Sequence, residues 1–129
     1  MLTQHQTNEF KTILNERFLE EREQVRQALL QSDQQSHAEL AGQVHDTEET
    51  ALADLLVDVA LADIDRHIVE IRAIDAALLR IAQGSYGVCT ECGAAIDVQR
   101  LRASPTAQRC VSCQVSYENR DRTLHNRSL

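Results

Sequence analysis

The sequence predicts a mostly α-helical protein: a long antiparallel coiled-coil hairpin, then a small globular module with four cysteines and a C-terminal helix. Three observations support this fold class. Apolar residues recur at helical spacing through most of residues 1–83. The four cysteines and the one proline all lie beyond residue 84. With two Phe, two Tyr and no Trp among 129 residues, the 43% apolar content is largely aliphatic, which favours helices packed on helices.

The first helix is predicted from about residue 8 into the thirties, after a short N-terminal arm of residues 1–7. Its apolar side chains follow one another at steps of four, four, seven and four, which places them on one face. These residues are Phe10, Leu14, Phe18, Val25 and Leu29. Between residues 31 and 43 the pattern weakens and includes Gly42, so we expect a turn there.

The second helix is predicted from about Asp46 to residue 83, with a left-handed cap at Gly84. Its apolar stripe has nearly the period of a coiled-coil seam. The stripe consists of Val57, Leu61, Ile64, Ile68, Ile71, Ile74, Leu78 and Ile81. A helix of about 38 residues is too long to be buried in a small globule, so it should pair antiparallel with the first helix. The predicted hairpin covers residues 8–83, with its tip near residues 40–51.

The remaining segment, residues 84–129, contains two C-x2-C pairs: Cys89 with Cys92, and Cys110 with Cys113. Seventeen residues separate the pairs, and two such pairs complete a closed tetrahedral four-cysteine zinc site. We therefore predict one structural Zn²⁺. A thiol redox motif is the lesser alternative, since it needs only one pair. A final short helix follows, with Val111, Val115 and Leu124 expected to face inward.

The charge is distributed unevenly along the chain. The net charge is −7, but residues 1–83 hold seven Lys and Arg against sixteen Asp and Glu, whereas residues 84–129 hold six against four. The acidic hairpin repels phosphates, and zinc with four thiolates would cancel the positive charge of the second segment. We therefore expect no sequence-specific nucleic-acid binding. Neither a membrane span nor a leader is predicted, so a cytoplasmic location is expected, where cysteines favour metal over disulfides.

Catalysis is not predicted. The five His residues are scattered without ligand spacing to the cysteines, and they are expected to be solvated surface residues. We find no Ser/His/Asp grouping, no phosphate-binding glycine loop and no argument for a buried pair of carboxylates. The predicted zinc site is closed and leaves no position for a catalytic water.

The segments "YGVCTECG", "RLRASPTA" and the final "CVSC", placed directly after a long hairpin, resemble the DksA/TraR family of bacterial transcription factors. The resemblance covers about residues 8–120. It implies a protein that binds RNA polymerase directly, with the coiled-coil hairpin entering the secondary channel of the enzyme. The acidic tip would then approach the active-site region, repress ribosomal RNA promoters and assist some biosynthetic promoters.

The resemblance also assigns roles to individual residues. The tip pattern of the family falls on Asp46, Glu49 and Ala51, with Glu49 one methylene longer than the family's Asp. Arg66 matches a position that contacts the polymerase rim. The acids also suit an ordinary helix start, because Asp46 can cap the helix and Glu49 can close a capping box. Both interpretations are compatible, since a capping residue can hold an exposed carboxylate in place.

Three positions depart from the family. Many members bind the stringent-response alarmone ppGpp with basic side chains, and the corresponding positions here are Ala73, Ser104 and Gln114. Neutral groups cannot replace the charge-assisted hydrogen bonds, so weak or absent ppGpp dependence is expected. Two alternatives remain: a coiled-coil zinc-finger adaptor without direct effect on polymerase, and a zinc-finger DNA binder, which the acidic charge disfavours. A self-paired hairpin predicts a monomer.

Overall fold

The computed structural model describes residues 2–41 and 47–127, with side chains described outside residues 34–50, 53 and 123–127. Four helices follow in chain order: α1 Gln4–Ala41, α2 Thr47–Gln83, α3 Val98–Ala103 and α4 Val111–Arg127. The described residues contain no β-strand, only one isolated antiparallel bridge between Val88 and Ala95. The mostly helical fold class, with two long helices before a small cysteine module, is confirmed.

The chain forms two compact units. Unit 1 consists of Met1–Asn15 and Ile74–Leu129, and unit 2 consists of Glu16–Ala73. Each unit therefore contains a part of α1 and a part of α2. The division into an arm, a hairpin and a zinc module at residues 7 and 83 stays a prediction about domains.

Helix α1 begins earlier than predicted, at Gln4 rather than near residue 8. Its first turn is closed by a capping box, in which the Gln6 backbone N–H donates to Thr3 Oγ1 (3.1 Å) and the Thr3 N–H donates to Gln6 Oε1 (3.0 Å). The helix then continues to Ala41 through most of the segment where the apolar pattern weakens, so a turn within residues 31–41 is excluded and the turn between the two long helices stays a prediction. Gly42 lies outside the described residues.

Helix α2 ends as predicted. Gly84 has φ +78°, in the left-handed region that favours glycine. The Gly84 N–H donates to the Ile81 carbonyl (3.2 Å), and the Ser85 N–H donates to the Arg80 carbonyl (2.9 Å). This pair of bonds is a Schellman motif, which satisfies carbonyls at the end of the helix and turns the chain into the cysteine module.

The core of unit 1 joins the start of α1, the end of α2 and the cysteine module. Phe10 packs against Tyr86 with ring centroids 5.7 Å apart, and the Tyr86 hydroxyl donates to the Pro105 carbonyl (2.7 Å). The buried apolar residues here are Phe10, Leu14, Ile74, Ala77, Tyr86, Cys89, Ile96 and Leu101. Aromatic and aliphatic burial of this kind contributes to the folding free energy of the unit.

In unit 2 the seam between the helices differs from the predicted stripe at two positions. Leu29 is 54% exposed and Leu61 is 49% exposed, whereas Ala28 and Ile64 are buried. The seam shifts because Ala28 and the half-buried Ala60 occupy the inward positions, which turns the neighbouring leucines outward. Because alanine is small, the seam of unit 2 buries less apolar surface than a stripe of leucines would bury.

Helix α4 also differs from its predicted orientation. Val111 is 59% exposed and Val115 is 50% exposed, so the expectation that they face inward is wrong. Residues two apart on a helix lie about 200° apart, so turning Cys113 toward the other cysteines turns both valines to the opposite side. The side chain of Leu124 lies outside the described residues.

Candidate metal centre and hairpin residues

The four cysteines of the two C-x2-C pairs converge at one point. The sulfur atoms of Cys89, Cys92, Cys110 and Cys113 all lie within 4.8 Å of one another. The Sγ atoms of Cys92 and Cys110 are 3.9 Å apart. A tetrahedral zinc with Zn–S bonds of about 2.3 Å separates its sulfurs by roughly 3.8 Å. The donor set and its spacing therefore fit a four-cysteine zinc site held by these side chains.

The backbone of the first pair forms a tight turn around its sulfurs. The Gly93 N–H donates to the Cys89 carbonyl (3.0 Å), and the Cys89 N–H donates to the Ala94 carbonyl (2.8 Å). Gly93 has φ +74°, where a side chain would strain the backbone. The glycine directly after the first pair therefore forms a tight turn.

The second pair lies at the start of α4. Cys110 directly precedes the helix, and its carbonyl accepts from the Gln114 N–H (2.9 Å), while Cys113 lies in the first turn. The first turn of the helix thus fixes the spacing between the two cysteines of the second pair.

Arg109 connects the two cysteine loops. Its Nε donates to Glu91 Oε1 (3.3 Å), and its guanidinium lies 3.9 Å from the ring centroid of Tyr117 on α4. Its carbonyl accepts from Nε of Arg100 (2.9 Å), which anchors the loop to α3. These contacts hold Cys92 and Cys110 on opposite loops at the spacing a metal requires.

The electrostatics of the cluster call for a cation. Backbone N–H groups of Cys92 and Cys110 lower the pKa of Cys89 to about 6. By contrast, hydrogen bonds of its thiol with Cys110, Cys89 and Cys92 raise the pKa of Cys113 to about 12. Neighbouring thiolates repel one another, so this group does not ionise fully by itself. A divalent cation reverses that balance and deprotonates coordinating thiols.

The residues predicted at the hairpin tip are described unevenly. Asp46 lies outside the described residues, and Glu49 lies in α2 although its side chain is not among the described ones. Ala51 is exposed on α2. Arg66 is 76% exposed at its side chain, and its Nη2 donates to Asp63 Oδ1 (2.8 Å). These observations leave the predicted roles of the four residues as proposals.

The three neutral positions that replace basic residues lie in ordered segments. Ala73 is half-buried on α2. Ser104 caps the C-terminus of α3, where its N–H donates to the Arg100 carbonyl (2.8 Å). The Gln114 amide donates to Glu118 Oε1 (3.2 Å). None of these side chains carries a positive charge.

A polar contact between the hairpin helices was missed by the sequence interpretation. His67, expected to be a solvated surface residue, is 22% exposed at its side chain; its Nδ1 lies within hydrogen-bonding distance of Glu21 Oε2, and its Nε2 lies 3.6 Å from Asp63 Oδ2. A signal for this contact exists in the sequence. Glu21 occupies the seam position in the seven-residue gap between Phe18 and Val25, so an inward polar partner was to be expected.

No helix among the described residues is long and apolar enough to cross a membrane.

The fold and the cysteine cluster define a class: mostly helical proteins with two long helices and a closed four-cysteine zinc centre. The protein-family model described as the prokaryotic DksA/TraR C4-type zinc finger matches residues 84–119 of the sequence. The structure is similar to that of transcription factor DksA2 from Pseudomonas aeruginosa, with a TM-score of 0.81 and 25% identity over 92% of this chain and 88% of that one.

Curated relatives agree with this assignment. The chain is 39% identical over 93 residues to a Caulobacter vibrioides protein named RNA polymerase-binding transcription factor DksA, covering 72% of this chain and 61% of that protein's length. It is 35% identical over 115 residues to an uncharacterized Aquifex aeolicus protein, of which it covers 73%. The chain belongs to the DksA/TraR family as a DksA-like member, and it holds one structural zinc ion.

Proposed function

We propose that this protein is a non-enzymatic transcription regulator that binds bacterial RNA polymerase directly. The observation that carries this proposal is the fold likeness to a DksA2 transcription factor over 92% of the chain, together with a relative named for polymerase binding. The charge distribution supports a protein partner rather than DNA, because the hairpin would repel phosphates. Binding as a monomer through the polymerase secondary channel is part of the proposal.

In this proposal the acidic residues at and just before the start of α2 act on the polymerase. Asp46 and Glu49 accept hydrogen bonds from polymerase groups near the active site, and the small, exposed Ala51 permits close approach. Arg66, whose side chain is exposed on α2, contacts the polymerase rim. The zinc ion supplies a covalent-like crosslink between the two cysteine loops and so stabilises the fold of residues 84–119. The result is altered stability of promoter complexes at ribosomal RNA and biosynthetic promoters.

Weak or absent ppGpp dependence is the second part of the proposal. The neutral residues Ala73, Ser104 and Gln114 stand where basic side chains would neutralise a polyphosphate. Each missing cation removes a charge-assisted hydrogen bond, and three such losses would abolish most of the binding energy. Arginine substitutions at these positions would then create alarmone sensitivity rather than modify an existing one.

The test is transcription from a ribosomal RNA promoter by purified polymerase, with the wild type and the Asp46→Asn variant, each with and without ppGpp. We expect inhibition by the wild type in both conditions and a large loss for Asp46→Asn, since Asn still caps a helix but carries no charge. Asp75→Asn, a change at an exposed acid elsewhere on α2, is the matched control and should inhibit like the wild type. If the wild type has no effect under either condition, the adaptor hypothesis replaces this one.

A further inference from the structure

An apolar stripe lies exposed on α2 within unit 2. It consists of Leu52, Leu55, Leu56 and Val59, whose exposed fractions are 58%, 57%, 44% and 57%. These residues follow one another at steps of three, one and three, so they cover two adjacent turns on one side of the helix. The seam toward α1 uses other positions, including the buried Ile64. A contiguous apolar patch of this kind marks a protein contact more often than an ordinary solvated face.

The stripe borders a groove between the two helices of unit 2. The groove has a volume of about 330 Å³, and Leu56, Val59, Ala60 and Ala28 form much of its lining. Arg66 lies at one end, and its charge is balanced by Asp63, to which it donates at 2.8 Å. Because the lining alanines are short, the groove can accept the large side chains of a partner helix.

The charge of unit 2 indicates what covers this surface. Residues 16–73 hold five Lys and Arg against fourteen Asp and Glu, and Asp54 and Asp58 are exposed on the same two turns as the stripe. A second copy of the chain would bring the same excess of negative charge to within about 10 Å, roughly one Debye length at physiological salt. A partner with apolar and basic side chains matches both properties of the surface.

We infer that the stripe and its groove form a docking surface for a basic amphipathic protein helix. Assigning that helix to RNA polymerase rests on the proposed function, whereas the surface itself does not. The inference adds an apolar anchor on the side of the hairpin to the acidic contacts proposed for its tip. Apolar side chains at the centre of a contact supply most of its affinity, and charges around them supply rate and specificity.

The first experiment measures binding of core RNA polymerase to the zinc-loaded, fluorescently labelled chain by anisotropy. The double variant Leu55→Ser, Val59→Ser should bind about tenfold or more weakly, because two exposed anchors lose their apolar surface. Leu19→Ser is the matched control, since Leu19 is 60% exposed on α1 of the same unit, and it should bind like the wild type. Unchanged thermal melting of both variants excludes misfolding. Equal binding of the double variant and the wild type overturns the inference.

The second experiment does not depend on polymerase. A short amphipathic peptide of Leu and Lys should bind the wild type, bind the double variant about tenfold or more weakly, and lose affinity as salt rises. Its Leu and Glu counterpart should not bind, and equal binding of the two peptides overturns the charge argument. If the wild type fails to bind polymerase, the proposed function is wrong. The peptide experiment alone then tests whether the stripe and its groove form a docking surface. Self-association of the wild type that the double variant abolishes, seen by sedimentation equilibrium, names a second copy as occupant and overturns the inference.

Discussion

The two compact units bury their apolar residues very differently. Among the residues whose side chains are described, eight of the ten buried apolar residues belong to unit 1, and only Ala28 and Ile64 belong to unit 2. Conversely, nine of the thirteen large apolar residues that are exposed lie in unit 2. Unit 1 thus has an apolar core and a metal site, whereas the helices of unit 2 pack through few buried residues and leave many apolar side chains exposed.

The apolar residues of the two units therefore serve different purposes: those of unit 1 stabilise the fold, and those exposed on unit 2 are available for binding a partner. Burial of large side chains stabilises unit 1, because each fully buried Leu or Phe contributes about 1.5–3 kcal/mol. In unit 2 the alanines at the seam bury little apolar surface, while several leucines are exposed to solvent. Proteins that expose contiguous apolar side chains generally use them for binding. We therefore expect substitutions in unit 1 to change folding, and substitutions outside the seam of unit 2 to change partner binding.

The largest effect should come from loss of the metal. Cys110→Ser removes one of four sulfurs within 4.8 Å of one another, and structural zinc sites contribute on the order of 10 kcal/mol to the folding of small modules. We expect residues 84–127 to lose their ordered structure, with a matching decrease of near-UV signal from Tyr86 and Tyr117. Circular dichroism with metal analysis by mass spectrometry measures both changes.

The control for that experiment is Ser112→Ala, a change at an exposed residue between the two cysteines of the second pair. It should retain one zinc and melt like the wild type. The helical signal of unit 2 should survive in Cys110→Ser. A Cys110→Ser protein that keeps one zinc and the wild-type spectra would contradict the role of the metal in unit 1.

A pair of phenylalanines on α1 tests the comparison directly. Phe10 in unit 1 is 1% exposed, whereas Phe18 in unit 2 is only half-buried. Phe10→Ala should lower the free energy of unfolding by about 3–5 kcal/mol, because it removes a fully buried ring and leaves a cavity. Phe18→Ala should lower it by about half as much or less. Urea denaturation measures both values, and equal losses would show that the two units are equally well packed.

Tyr86 offers a smaller change with a pH signature. Tyr86→Phe removes the buried hydrogen bond to the Pro105 carbonyl and should cost about 1–2 kcal/mol. Burial raises the pKa of Tyr86 to about 12, against about 10 in the unfolded chain. The folded state therefore keeps the proton longer, so this contribution to stability is complete below pH 10 and is lost as pH rises toward 12.

The measurement is the melting temperature as a function of alkaline pH. Tyr86→Phe should remove part of the decline expected for the wild type above about pH 10. Tyr117→Phe is the control, because Tyr117 is 42% exposed and stacks with Arg109 through its ring face, which Phe retains. Identical alkaline profiles for the wild type and Tyr86→Phe would contradict the assigned role of burial.

The spacing of residues in the sequence correctly predicted the features that depend on neighbouring residues alone. The cysteine pairs, the cap at Gly84 and the two long helices are set by short-range geometry, and all are present. The orientation of Val111 and Val115 could not be predicted from apolar character alone, because the inward turn of Cys113 decides which side of α4 faces the module. The exposed leucines of α2 were missed for a related reason, since apolar residues on several sides of a helix do not reveal which side forms the seam.

The smallest expected effect concerns the polar contact inside unit 2. His67→Ala should lower the free energy of unfolding by about 0.5–1.5 kcal/mol, because the side chain pairs with Glu21 across the helices and is 22% exposed. His5→Ala is the control: His5 pairs with Glu9 at 3.0 Å but is 86% exposed, so its loss should stay within a few tenths of a kcal/mol. Urea denaturation compares the two variants. If they lose equal stability, the contact adds nothing to the thin seam, and apolar packing alone holds the helices of unit 2 together.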